Sequence, residues 1–266
     1  MPLPPLPPLL PAARPADQAH GLRRLFAAPQ PRHLVLLANP HVPATGVALE
    51  RLGSALAALG RHALVVDAAA ASPPPHELAA LDLAACVETV GPGLAYLAAR
   101  GLPLAHVDAR GSAAALLPRL EAAAPQADLV LLHADAADVV RLFDRSVPAV
   151  LVLAGSAPES LTHAYAGIKL LALRCGRMDF DLLLCVPPRQ PLAARIGARL
   201  AGCAERFLGA VLHDRVVLDP AGDAREPVPE PLLRLLAALL LPDDDTAGWT
   251  PPPRPHPPNP TRSARS

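Results

Sequence analysis

Lysine is nearly missing from this chain. Lys169 is the only one in 266 residues, so chemistry that sets an ammonium against phosphate has a single candidate. Aromatic residues make up 3%, which leaves the core to Leu, Val and Ala. The cysteines Cys86, Cys175, Cys185 and Cys203 form no CxxC pair and have no histidine at metal-ligand spacing. That spacing argues against a zinc site or a redox pair and fits reduced thiols. Lys plus Arg number 24 and Asp plus Glu 24, so no net field draws the chain to nucleic acid or anionic lipid. No apolar run approaches the roughly 18 residues of a membrane span. The first residues lack a basic segment, and Pro breaks their apolar ones, so no signal peptide is expected. The expectation is a cytoplasmic protein.

What is abundant is proline, and it sits at the ends. Residues 1–16 and 250–266 hold 14 of the 35 prolines, enough to predict extended or disordered tails over 1–16 and 242–266. Between them apolar runs alternate with helical patterns. Strands are expected at 33–38, 62–67, 128–133, 148–153 and 180–186. Helices are expected at about 47–60, 112–124, 136–145, 160–175 and 190–208, the first with Leu49, Leu52, Leu56 and Leu59 on one face. Continuous apolar strands alternating with helices predict a doubly wound, mostly parallel α/β sheet covered on both faces, spanning 32–241. Ligands of such sheets lie at the carboxyl ends of the strands.

The loop after the first strand is Asn39-Pro40-His41-Val42-Pro43-Ala44-Thr45-Gly46. Its position and length suit a phosphate cradle, but its chemistry does not. A P-loop needs several glycines so that backbone N–H groups converge on phosphate, a Lys to neutralise charge, and a Ser or Thr for Mg²⁺. Here one glycine stands with two prolines and no lysine. The GxGxxG alternative is absent as well. Asp67, at the end of the second strand, reads either as a ribose ligand or, in the plainer reading, as a helix cap. His133 reads as a base or, with no visible nucleophile or orienter, as a structural histidine. Asp135 and Asp138 are expected to cap and start the next helix.

Ahead of this domain, residues 17–27 carry a short amphipathic helix signal. Asp17 suits its cap, and Leu22, Leu25 and Phe26 make an apolar stripe beside Arg23 and Arg24. Gln18 and Arg23 have the reach to enter a partner's active site. The plainer alternative is a helix folded back on its own domain.

Three stretches carry a resemblance. They are DQAHGLRRLF over 17–26, LGSALAALGRHALVVD over 52–67, and SAPESLTHAYAGIK over 156–169. In order and spacing they resemble the MinD/ParA-like proteins and, within them, the flagellar-number regulators of the FlhG (FleN) subfamily. The resemblance implies an ATPase fold that takes ATP and Mg²⁺ and dimerises around nucleotide. Laid on its motifs, Pro40 stands at the signature lysine, Thr45 at the phosphate lysine and Gly46 at the magnesium-binding threonine. Asp67 matches the first acid of the DxD pair and Ala69 replaces the second. His133 replaces the acid after the third central strand, His163 the aspartate of TDAYA, and Cys185 the adenine-side asparagine. No cofactor is therefore expected, and Thr45, Gly46, Asp67 and His133 mark a vestigial nucleotide site.

The resemblance also implies a partner. The subfamily's N-terminal segment stimulates an FlhF-type signal-recognition GTPase, which assigns Asp17, Gln18, Leu22, Arg23 and Leu25 to partner binding. Flagellar basal-body or regulatory proteins and a second copy of the chain are further candidate partners, and recruitment to a cell pole or the inner membrane face is compatible. Residues 230–241 lie where MinD-like proteins carry a membrane helix, but this one has only Arg234 on its polar face and Asp243, Asp244 and Asp245 after it. Core packing is the preferred reading, with membrane contact weak or indirect. Two other functions stay open at this point: a MinD-like ATPase with an unconventional ATP site, and a non-catalytic polar-assembly adaptor.

Overall fold

A computed structural model describes residues 31–43, 45–187, 190–223 and 226–241. The expected 17–27 helix, with Asp17, Gln18, Leu22, Arg23 and Leu25, and both proline-rich tails lie outside the described residues.

Eight strands form one sheet: β1 (Arg32–Leu37), β2 (Ala63–Asp67), β3 (Glu88–Gly91), β4 (Leu94–Ala98), β5 (Leu129–Ala134), β6 (Ala149–Ala154), β7 (Asp179–Cys185) and β8 (Val211–Leu218). Their order is β3-β4-β2-β5-β1-β6-β7-β8. Every pair is parallel except β3 with β4, which turns back antiparallel. The α-helices among the described residues are α1 (Thr45–Ala58), α2 (Leu102–Ala105), α3 (Leu116–Ala123), α4 (Ala136–Phe143), α5 (Pro158–Cys175), α6 (Gln190–Leu208) and α7 (Glu230–Leu239). The expected doubly wound α/β architecture is what the chain adopts.

Successive residues of each central strand enter opposite cores, which is why these strands read as unbroken apolar runs. Leu34, Leu36, Val65, Leu131, Leu151 and Leu153 pack under α1 and α7. Val35, Leu37, Val66, Leu132, Val152 and Leu184 pack under α3 to α6. The five strands expected from the sequence are all present.

Three strands escaped it. β3 and β4 are short and joined through Gly91-Pro92-Gly93, with Gly93 at φ 70°; β3 is largely exposed and β4 largely half-buried. β8 is an edge strand carrying His213, Asp214 and Arg215 on a largely exposed stretch. An edge needs no continuous apolar run. The second expected helix starts at Leu116 rather than 112, because the Asp108 carboxylate accepts the N–H groups of Arg110 and Ser112 and holds 108–112 as a turn.

α7 is a packing helix. Leu232, Leu235 and Leu236 are buried against the α1 side of the sheet. The Arg32 guanidinium donates to the carbonyls of Leu240 (2.5 Å) and Leu241 (2.9 Å), tying the end of α7 to the start of β1. Among the described residues no helix is long and apolar enough to cross a membrane.

α5 approaches β1 through Gly167, where an added Cβ would lie 2.6 Å from the Leu37 side chain. Leu37 is itself buried and has little room to retreat. Gly167→Val should therefore cost about 1–3 kcal/mol by overpacking. Urea denaturation would show this as a lower midpoint at unchanged slope; an unmoved midpoint would mean that the contact yields freely.

Candidate functional site

The loop after β1 is tied to its surroundings by one buried side chain. Asn39 is 2% exposed. Its side-chain NH₂ lies 2.9 Å from the Leu153 carbonyl, 2.9 Å from the Ser160 carbonyl and 3.0 Å from Ser160 Oγ. The Asn39 Oδ1 accepts the His41 N–H at 3.1 Å, and the Asn39 carbonyl accepts the Val42 N–H at 3.1 Å. Val42 turns its side chain into the core, and the Thr45 hydroxyl donates to the Val42 carbonyl at 2.9 Å. The His41 ring lies edge-on to His163 of α5, with centroids 5.8 Å apart. Two N–H groups of the loop are thus spent inside it, where a phosphate cradle would turn them outward.

Asp67 and His133 face each other because β2 and β5 run parallel with these residues in register. The His133 Nδ1 lies 2.6 Å from Asp67 Oδ1. The Ser72 hydroxyl donates to the same oxygen, and the Tyr96 hydroxyl donates to Oδ2 at 3.0 Å. Burial alone pushes the Asp67 carboxyl up, but the bonds from His133, Ser72 and Tyr96 outweigh it, so the group ends below its ordinary value. Burial and the Asp67 charge together push the Tyr96 hydroxyl upward, which keeps its proton in place. An ionised Asp67 takes its bond from a proton on Nδ1, which turns Nε2 away from the carboxylate. That Nε2 is buried and has no hydrogen-bond partner among the described residues.

Three sequence expectations are corrected here. Asp67 does not cap a helix; β5 and β4 bring it donors from distant parts of the chain. Asp135 holds the extended conformation of an N-cap before α4, but its carboxylate makes no cap bond. It reaches across to accept the Ala70 N–H at 3.0 Å, joining the loops after β2 and β5. Asp138 does open α4 and pairs with Arg141 at 2.5 Å. His133, read as lacking an orienter, has one in Asp67.

Thr45, Gly46, Asp67 and His133 line a single cleft of about 750 Å³, together with Glu50 and Asp135. Among the described residues that line it there is no Lys and no Arg. Lys169 is exposed on α5 and does not line it. Cys185, at the end of β7, is 7% exposed, and burial pushes its thiol up to about 12, so it stays protonated and inert. Ser72 and Tyr96 carried no signal in the sequence. The first lies in an irregular loop and the second on a strand that the pattern did not reveal.

No family profile and no curated protein matches this chain. Solved structures do. The MinD cell division protein of Aquifex aeolicus superimposes with a TM-score of 0.52 at 15% identity, covering 77% of this chain and 97% of its own. Apo McdA of Cyanothece superimposes with a TM-score of 0.50 at 15% identity, covering 77% and 93%. The fold is the MinD/ParA one. At these identities the likeness is one of architecture, and the site has to be judged on its own residues.

Those residues do not fit a magnesium nucleotide. The cleft offers carboxylates from Glu50, Asp67 and Asp135 where a polyphosphate needs cations. At about 5 Å and an effective dielectric of about 20, two like unit charges repel by about 3 kcal/mol. The open N-terminus of α1 at Thr45 and Gly46 contributes about 0.5 of a positive charge, too little to offset them. Among the described residues no group of three or more His, Cys, Asp or Glu is arranged to hold a metal ion.

The polar cluster makes stability depend on pH. Asp67 binds its proton more weakly folded than unfolded, so its contribution is complete above the ordinary value of 3.8 and drains as pH falls through the depressed one. Asp67→Asn should flatten the acid limb of the stability profile. Urea midpoints between about pH 3 and pH 7 that fall equally in wild type and variant would refute this coupling.

Proposed function

We propose that this chain is a divergent regulator of flagellar number and placement of the FlhG type. It works by contact with an FlhF-type signal-recognition GTPase through residues 17–27, and it does not turn over ATP. The observation that carries the second part is the cleft: three carboxylates and no Lys or Arg among its described lining residues, with the loop N–H groups of His41 and Val42 already bonded. The first part rests on the DQAHGLRRLF segment. A stripe of Leu22, Leu25 and Phe26 beside Arg23 and Gln18 suits a helix that packs on a GTPase and supplies side chains to its phosphoryl-transfer site.

Calorimetry with ATP and Mg²⁺ should give no saturable heat up to about 1 mM, a level at which even weak sites fill. The second reading, a MinD-like ATPase with an unconventional site, draws on the match along 97% of MinD's length and on the uncrowded Gly46 at the start of α1. Micromolar ATP binding coupled to dimerisation would establish that reading and remove the first. Separately, the Gln18→Ala, Arg23→Ala double variant should lose at least about tenfold in stimulating an FlhF-type GTPase, the loss of about 1.4 kcal/mol. Wild-type stimulation by that variant would refute the assigned contact.

A further inference from the structure

The cleft that fits phosphate poorly is still a built cavity. Its volume of about 750 Å³ falls in the range of small-molecule sites, and its walls are mainly apolar, with Val42, Leu49, Val65, Pro73, Val90 and Leu94 among them. Polar groups are few and fixed. His133 lines the cleft, is 4% exposed, is held by Asp67, and has an Nε2 without a partner among the described residues. A buried ring nitrogen without a partner is destabilising, and a ligand that supplies the partner relieves that cost.

We infer that this cleft binds an organic amine, an apolar body ending in an N–H donor, with His133 Nε2 as the acceptor. Three features select this class over others. In the neutral imidazole the Asp67 pairing holds the proton on Nδ1, which leaves Nε2 to accept an N–H. Glu50 and Asp135 add negative charge at the cleft wall, and no Lys or Arg lines it to welcome an anion. The apolar walls favour a hydrophobic body over a sugar. Ser72 and Tyr96 act as positioning residues, since both hydroxyls donate to Asp67 and hold it against the histidine.

This inference rests on the reading that ATP does not occupy the cleft, and the experiment separates the two. The full-length protein is titrated with tryptamine, with its acidic counterpart indole-3-propionate, and with ATP and Mg²⁺. Calorimetry is read beside the ¹⁵N shift of the His133 imidazole. Tryptamine should bind saturably with a Kd below about 1 mM and move the Nε2 resonance, with the acid at least about tenfold weaker. His133→Phe should weaken tryptamine at least about tenfold. So should Ala57→Trp, which fills the cleft from an exposed position on α1 and leaves the polar cluster untouched. No saturable tryptamine binding, equal binding of the acid, or unchanged affinity in Ala57→Trp would overturn the amine site. If ATP is also silent, the proposed function survives that result; if ATP saturates instead, both fall together.

Discussion

One buried carboxylate organises the ligand-facing end of this sheet. Asp67 takes donors from β5, from β4 and from the loop after β2, so strands far apart in sequence meet on two oxygen atoms. Removing a charge of this kind from water costs several kcal/mol unless hydrogen bonds replace the lost solvation. Here three side chains do, and their success shows in a carboxyl that stays below its ordinary value despite burial. The cluster therefore works as a unit. Loss of one donor would leave the charge buried and short of partners, and the registration of β2 against β5 would lose its polar anchor.

The loop after β1 is governed by the same economy of polar groups. Asn39 meets the carbonyls of Leu153 and Ser160 and the Ser160 hydroxyl, which in turn accepts the Gly155 N–H at 2.8 Å. The first strand–helix loop is thereby bound to the loop after β6 and the start of α5. A fold can host many chemistries because its core and its strand ends are separable, and this chain shows that separation residue by residue. Beneath the loops, Leu34, Leu36, Leu131 and Leu151 are fully buried, indifferent to what sits above them. At the strand ends other residues stand: Pro40 in the loop after β1, His133 in β5 and Cys185 at the end of β7.

How much of this was legible in the sequence follows from where each signal resides. The central strands announced themselves because burial on both faces forces an apolar residue at every position, as in Leu34 to Ala38 and Leu129 to Leu132. β8 and the β3–β4 pair did not, since edge and half-exposed strands accept His213, Asp214 and Glu88 without penalty. Thr45, Gly46, Asp67 and His133 were singled out by their place at or just after the ends of β1, β2 and β5, and all four line one cleft. Their partners were not readable. Tyr96 reaches Asp67 from a strand 29 residues further along, and the Ser72 bond depends on a loop path that no periodicity encodes. The misreading of Asp67 as a helix cap has the same origin: a carboxylate before a helix is ambiguous until the parallel register sets His133 opposite it.

Charge balance then constrains what kind of regulator this fold supports. A protein that senses a terminal phosphate needs cations whose position changes when that phosphate leaves, because only a differential contact shifts a conformational equilibrium. The described lining of this cleft supplies none, and its loop is held by bonds to β6 and α5 that involve no ligand. On the reading proposed above, the partner-binding state is set by the packed domain itself and not by a nucleotide cycle. Control has to come from whatever fills the cleft beside His133 or from the abundance of the chain. A neutral or cationic occupant would act on Asp67 and His133 alone, and through them on β2, β4 and β5, the strands the cluster joins. The loop after β1 would stay fixed, since none of its bonds runs through that cluster.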